Sequence, residues 1–207
     1  MTVGILGGTF DPIHNGHIEA AAAAQRALSL ERILLMPARL PPHRTAEPRA
    51  SAFHRFAMAA LAASNREMSV SDLELRREGP SYTALTLETL HAEGLSPSQL
   101  YFITGSDAFA EVSTWYDYPR ILQLANFVVV SRPGAPKMTG VIADSPSDMT
   151  GRTRVLLVEA DTPDVSSTEI RRRVAAGEPL DGMVPANVAG HILRHRLYVP
   201  APATVVL

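Results

Sequence analysis

The chain contains no cysteine. Disulfides, thiolate catalysis and cysteine-ligated zinc are therefore excluded. It has one tryptophan, and aromatic residues make up only 6% of it, so any aromatic platform has few candidates. Neither charge dominates: 19 Lys and Arg stand against 21 Asp and Glu, a formal net charge of −2. That balance argues against bulk electrostatic binding to nucleic acid or to an anionic membrane. A small anionic ligand needs only a few local cations and stays open. No apolar run approaches the roughly 20 residues that cross a bilayer. The N-terminus opens directly into a short apolar run, with no basic segment or long hydrophobic region, so no signal peptide is expected. These absences predict a soluble cytoplasmic protein with no nucleic-acid or membrane partner. They leave homo-oligomerisation open.

What is present suits one packed domain. Of 207 residues, 46% are hydrophobic and 19% charged, which permits a sizeable core. One domain over 1–207 is expected, with a helical C-terminal part at about 163–198. The wholly apolar run at 3–8 reads as a buried parallel strand, and 32–38, closed by Pro37, as a second buried strand. Further strands are expected at 68–75, from 99 into the polar turn at 105–107, at 126–134 and at 154–160. Helix-forming composition predicts helices over 16–30, 51–64, 81–94, 166–178 and 185–198, and a short one over 118–125. In the 51–64 helix, Phe53, Phe56, Met58 and Leu61 are available for a core face. Residues 40–49 are a Pro-rich loop, and 135–152 carry no clear pattern. Strand alternating with helix along the whole length implies an α/β fold: a doubly wound parallel sheet, Rossmann-like, covered on both faces. Ligands in such folds bind beyond the carboxyl ends of the strands, where the strand order reverses.

The most informative stretch is "GGTFDPIHNGH", after the first strand. Gly7 and Gly8 allow a tight turn and close approach of backbone to a ligand. His14 and His17, three residues apart, straddle the expected start of the first helix. The free N–H groups there favour phosphate, and two imidazoles added to them suit charge that develops on a phosphate. A polar turn or a metal pair is the alternative, but no third ligand sits nearby at metal spacing. Asp11 more naturally holds the turn.

As a unit on a strand–turn–helix, this stretch resembles the signature of the nucleotidyltransferase superfamily, and in full it is similar to that of bacterial nicotinate-nucleotide adenylyltransferases. "PPHR", "PSYTALTLETL", "GSDAFAEVSTWY", "FVVVSRPG" and "VSSTEIRRRVAAG" continue the resemblance, in order, as far as about residue 198. It implies transfer of the adenylyl group of ATP to nicotinate mononucleotide, giving deamido-NAD and pyrophosphate. A phosphate with a second pKa of about 6 is already mostly dianionic at neutral pH, so no protein nucleophile is needed. Catalysis then reduces to positioning two anions and neutralising developing charge. Mg²⁺ is expected on the ATP phosphates, with few protein ligands and no dedicated metal site.

The resemblance also implies roles. His14, His17, Arg44 and Arg171 would act on the reacting phosphates. Gly7, Gly8, Thr9, Phe10, Gly105, Asp107, Ser166, Ser167 and Thr168 would join the histidines and Arg171 around ATP. Thr9, His43, Arg44, Thr83, Trp115 and Tyr116 would hold the mononucleotide. Plainer roles compete: Asp107 and the Ser166–Thr168 hydroxyls could cap helices, and a lone Trp is often core. Of Arg171, Arg172 and Arg173, which point about 100° apart on a helix, Arg171 is the one expected to face the site. Two departures stand out. Arg44 occupies a place where the family usually has Lys, and Leu85 one where it has Asp. Rival readings are another adenylyl or cytidylyl transferase, such as phosphopantetheine adenylyltransferase, and a non-catalytic nucleotide-binding module.

Overall fold

The computed structural model describes residues 1–42, 47–64, 67–131 and 154–200. Its strands are β1 (Val3–Gly8), β2 (Arg32–Pro37), β3 (Met68–Val70), β4 (Leu100–Gly105), β5 (Asn126–Ser131) and β6 (Val155–Glu159). The helices are α1 (Asn15–Leu28), α2 (Ala52–Ala63), α3 (Leu73–Arg76), α4 (Thr83–Ala92), α5 (Ser106–Ala110), α6 (Ser167–Ala176) and α7 (Ala186–Arg194). All strand pairs are parallel, in the order β3-β2-β1-β4-β5-β6. The chain winds outward from β1 to β3, then returns to the other side of β1 for β4. The reversal between β1 and β4 opens a crevice at their carboxyl ends, and the "GGTFDPIHNGH" loop leaves β1 there.

Alternation along each strand feeds two cores, one on each face of the sheet. Leu6, Ile33, Leu35, Ile103, Val128 and Val130 point to the face covered by α1, α2, α6 and α7, where they meet Ile18, Met58, Ile170, Val174, Val188 and Ile192. Ile5, Leu34, Met36, Phe102, Phe127 and Val129 point to the other face, against Leu87 of α4 and Phe109 of α5. Helix ends follow local chemistry. Gly177 closes α6 in the left-handed conformation (φ 69°), which glycine adopts without Cβ strain.

Four local expectations are corrected. Only Met68–Val70 of the 68–75 segment is strand. The rest turns into α3 and buries Glu74, which accepts the Thr86 hydroxyl at 2.6 Å, a tertiary contact that alternation does not encode. The 118–125 helix is a 3-10 turn at Arg120–Gln123. The last helix ends at Arg194 and not at 198. On α2 the buried stripe is Arg55, Met58, Ala59, Ala62 and Ala63, while Phe53 is 75% exposed. Met58 is buried and Leu61 packs against the core as expected; Arg55 joins the buried stripe and Phe53 does not. The patternless 135–152 segment lies outside the described residues.

Phe127 ties the second core together, with its ring centroid 5.7 Å from those of Phe102 and Phe109 and 6.4 Å from that of Trp115. Phe127→Ala should lower unfolding free energy by about 3–5 kcal/mol. Urea unfolding of the two proteins measures it, and a loss under about 1 kcal/mol would contradict this packing.

Candidate active site

The loop leaving β1 is held in one shape by its own backbone and by neighbours. Phe10 takes a left-handed conformation (φ 51°), uncommon for a non-glycine residue, and its ring is buried, near-perpendicular to the His17 ring with 5.2 Å between centroids. Phe10 lines neither cleft described below. Its ring packs against His17.

His14 is the N-cap of α1, and the two histidines cap each other. The His17 N–H donates to His14 Nδ1 at 3.4 Å, and the His14 N–H donates to His17 Nδ1 at 3.3 Å. This is a capping box built from two imidazoles. The rings stack at 3.7 Å between centroids, 26° from parallel. An Nδ1 that accepts carries no proton, so each neutral ring must carry it on Nε2. The mutual cap therefore selects the tautomer in which Nε2–H is a donor. Burial lowers the His14 pKa to about 4, so His14 is neutral at physiological pH.

Two clefts open over the switch point. The first, about 690 Å³, is lined by Gly7, His14, His17, Gly105, Ser106 and Asp107, among others, and by the 162–165 segment before α6. Asp107 stands in the first turn of α5 without capping it. The second, about 290 Å³, is more apolar, with Gly7, Gly8, Thr9, Pro42, Thr83, Trp115 and Tyr116 in its lining. Trp115 serves both readings, packed edge-on to Phe102 at 6.0 Å and facing the cleft. Tyr116 stacks on Tyr82 at 4.5 Å. Gly7, Thr104 and Ala108 line both clefts, which therefore meet at the end of β1 and β4. His43 and Arg44 lie outside the described residues. Leu85 lines neither cleft.

Known proteins with this arrangement decide the family. Residues 5–173 match the cytidylyltransferase-like family. The chain belongs to that family. A protein of Roseiflexus sp. (strain RS-1) named "Probable nicotinate-nucleotide adenylyltransferase" is 45% identical, over 95% of this chain and 97% of its own. One of the same name from Symbiobacterium thermophilum is 42% identical over 95% of each chain. The solved Plasmodium falciparum nicotinic acid mononucleotide adenylyltransferase complexed with NaAD shares the fold, with a TM-score of 0.74 at 18% identity, over 95% of this chain and 97% of that one.

The α6 start, where the family resemblance places phosphate ligands, is drawn against the β1–α1 loop. Ser166 caps α6 by accepting the Glu169 N–H at 3.2 Å. The Ser167 hydroxyl donates to the Pro12 carbonyl at 2.9 Å. Arg171 donates to the Asp11 carbonyl at 2.7 Å and to Thr168 Oγ at 3.1 Å. None of the four lines the first cleft; they stand behind the 162–165 segment that does. Arg172 and Arg173 pair with Glu169, and Arg172 also with Glu178, on the exposed face. Arg171 is thus the member of the triplet that turns to the loop.

Asp11 holds this loop as the sequence reading expected, and Tyr198 and Arg55, which that reading passed over, join it. Buried Asp11 accepts the N–H groups of Arg49 and Ala50 at 2.8 and 3.0 Å, and the Tyr198 hydroxyl at 2.9 Å. Burial and the Asp11 charge push the Tyr198 pKa well up. Arg55, 1% exposed, donates to the carbonyls of Thr9, Ala38, Arg39 and Ala50. A usable signal existed: Arg55 is the only Lys or Arg in the 52–63 run, and it falls on the helical stripe with Met58, Ala59 and Ala62. Among the described residues, no three His, Asp or Glu group as a metal site, and no helix is long and apolar enough to cross a membrane.

The lowered pKa of His14 has a signed consequence for stability. The unfolded chain takes up this proton near pH 6.5 and the folded one only near 4. The folded state is therefore penalised as pH falls through that window, by roughly 3 kcal/mol once both states are protonated. His14→Gln should flatten this part of the profile. Unfolding free energies at pH 7 and pH 4, compared between variant and wild type, check it; identical pH profiles would count against a buried neutral His14.

Proposed function

We infer that the chain transfers the adenylyl group of ATP to nicotinate mononucleotide, releasing deamido-NAD and pyrophosphate, as a nicotinate-nucleotide adenylyltransferase of NAD biosynthesis. The observation that carries this is the pair of clefts meeting at Gly7, Thr104 and Ala108, one against two histidines and the other against Trp115. Each substrate has a cleft, and the two phosphates that must react meet where the clefts join. The relatives' name and the family resemblance support the same reading. Release of pyrophosphate on mixing the protein with ATP, Mg²⁺ and nicotinate mononucleotide tests it directly.

The proposed mechanism is in-line attack of the mononucleotide phosphate on the α-phosphate of ATP. The Nε2–H donors of His14 and His17 stabilise the charge moving toward the leaving pyrophosphate. Because His14 is held neutral, it contributes a fixed dipole and no proton. Asp107 receives a ribose hydroxyl. Thr9 bonds the bridging region. The family resemblance assigns the β and γ phosphates to Arg171 and the α6 start, which in the structure bond the β1–α1 loop and line neither cleft. The family resemblance assigns Arg44 and His43 to the mononucleotide phosphate. Mg²⁺ enters with ATP as part of the substrate, held by phosphates and water. The enzyme works in the cytoplasm.

Trp115 stacks on the pyridine ring. The carboxylate is received by the N–H groups of Thr83 and Tyr116; no side chain caps α4 at Thr83, which leaves that helix start to an anion. An amide would set its own donors against these N–H groups.

His17→Ala should lower kcat by about 10²–10³-fold, the usual loss for one such donor, and a change of only a few-fold would remove His17 from the transition state. Arg171→Ala should raise KM for ATP more than for the mononucleotide; an unchanged KM for ATP in a folded variant would exclude it from the triphosphate site. An unpaired buried donor costs roughly 1–3 kcal/mol, so kcat/KM for the acid should exceed that for the amide by about tenfold to a hundredfold. Equal values, or a preference for the amide, would overturn the pocket assignment.

A further inference from the structure

The described residues contain one fully buried guanidinium, and it sits between the two substrate clefts and the core. Arg55 projects from α2, and its donors reach four backbone carbonyls: Nη1 to the Thr9 carbonyl at 2.8 Å and to the Ala38 carbonyl at 2.5 Å, Nη2 to the Arg39 carbonyl at 3.3 Å, and Nε to the Ala50 carbonyl at 3.2 Å. One nitrogen thus joins the residue after β1 to the residue after β2. Thr9 and Ala38 both line the second cleft, and neither lines the first.

The connection extends across that cleft. The Ala38 N–H donates to the Gly8 carbonyl at 2.8 Å, so the ends of β1 and β2 are joined twice. The Arg39 N–H donates to Ser81 Oγ at 2.8 Å, and the Ser81 N–H to the Leu40 carbonyl at 2.9 Å. Ser81, Tyr82 and Thr83 form the opposite wall, leading into α4. Arg55 therefore sets where the 38–40 segment lies, and that segment carries the α4 entrance with it.

We propose that Arg55 is a positioning residue selective for the second cleft: it fixes the separation of Thr9, Ala38 and the Ser81–Thr83 wall, and so sets the affinity for the mononucleotide while leaving ATP binding largely alone. This rests on the assignment of the second cleft to the mononucleotide made above. The cation suits the task because a planar fork can hold four carbonyls at set angles, which the single ammonium of lysine does not. The burial would be unfavourable without those acceptors, since an unpaired buried charge is strongly destabilising. A residue that merely supports the fold would weaken both clefts together or lower stability alone.

The test compares Arg55→Met and Arg55→Lys with wild type. Turnover of ATP and nicotinate mononucleotide by the wild-type enzyme tests the functional reading itself; calorimetric titration of each nucleotide separately, without turnover, tests Arg55. Arg55→Lys should weaken mononucleotide binding about tenfold or more, with ATP changed less than about threefold, the split that marks loss of one substrate's binding geometry. If Arg55→Met does not fold, Arg55→Lys, which keeps the charge, is read in the same way. Parallel weakening of both nucleotides, or normal affinity for both with a lowered Tm, would overturn the proposal.

Discussion

A buried guanidinium on a helix that is otherwise apolar is the constraint from which the site's shape follows. Arg55 cannot sit in the core without acceptors, and the acceptors it finds are carbonyls of residues that end strands or precede helices. Loop carbonyls at the top of a parallel sheet have no ladder partner, so they too require a donor. The two needs are met by one residue. Asp11 plays the complementary part, accepting the N–H groups of Arg49 and Ala50. Donor and acceptor hubs together turn three loops and the Tyr198 end of the chain into one rigid frame around the switch point.

The histidine pair is set by contacts of its own. The mutual cap of His14 and His17 settles which nitrogen of each ring carries the proton, and burial holds His14 neutral. Phosphate transfer needs donors aimed at developing charge more than it needs a titrating base. A stacked, mutually capped pair is rigid and supplies such donors. Its support is Phe10, whose ring stands edge-on to His17.

Much of the fold was legible because the sheet is parallel and buried on both faces. Runs such as "VGILGG", "RILLMP" and "NFVVVS" are apolar through their centres, and the helices between them have good helix-forming composition. The expected doubly wound order and a site at the carboxyl ends of the strands followed. The site's motif was legible for a different reason: glycines, a proline and two histidines in eleven residues have few other uses. Less legible was anything decided by contact across the chain. The exposure of Phe53, the helical turn at Leu73–Arg76 and the burial of Glu74 all depend on partners far away in sequence.

The sequence by itself determined the fold class and the place of the β1–α1 loop with its two histidines, because periodicity and local turn chemistry are short-range properties. Tertiary structure alone decided which residues make that loop rigid. Arg55 reads as one cation in a helix until it is seen with carbonyls from residues 9, 38, 39 and 50 around it. Tyr198 reads as a terminal aromatic until its hydroxyl is found on Asp11, 187 residues away. Such partnerships are set by where strands end in space, and spacing along the chain carries no record of it.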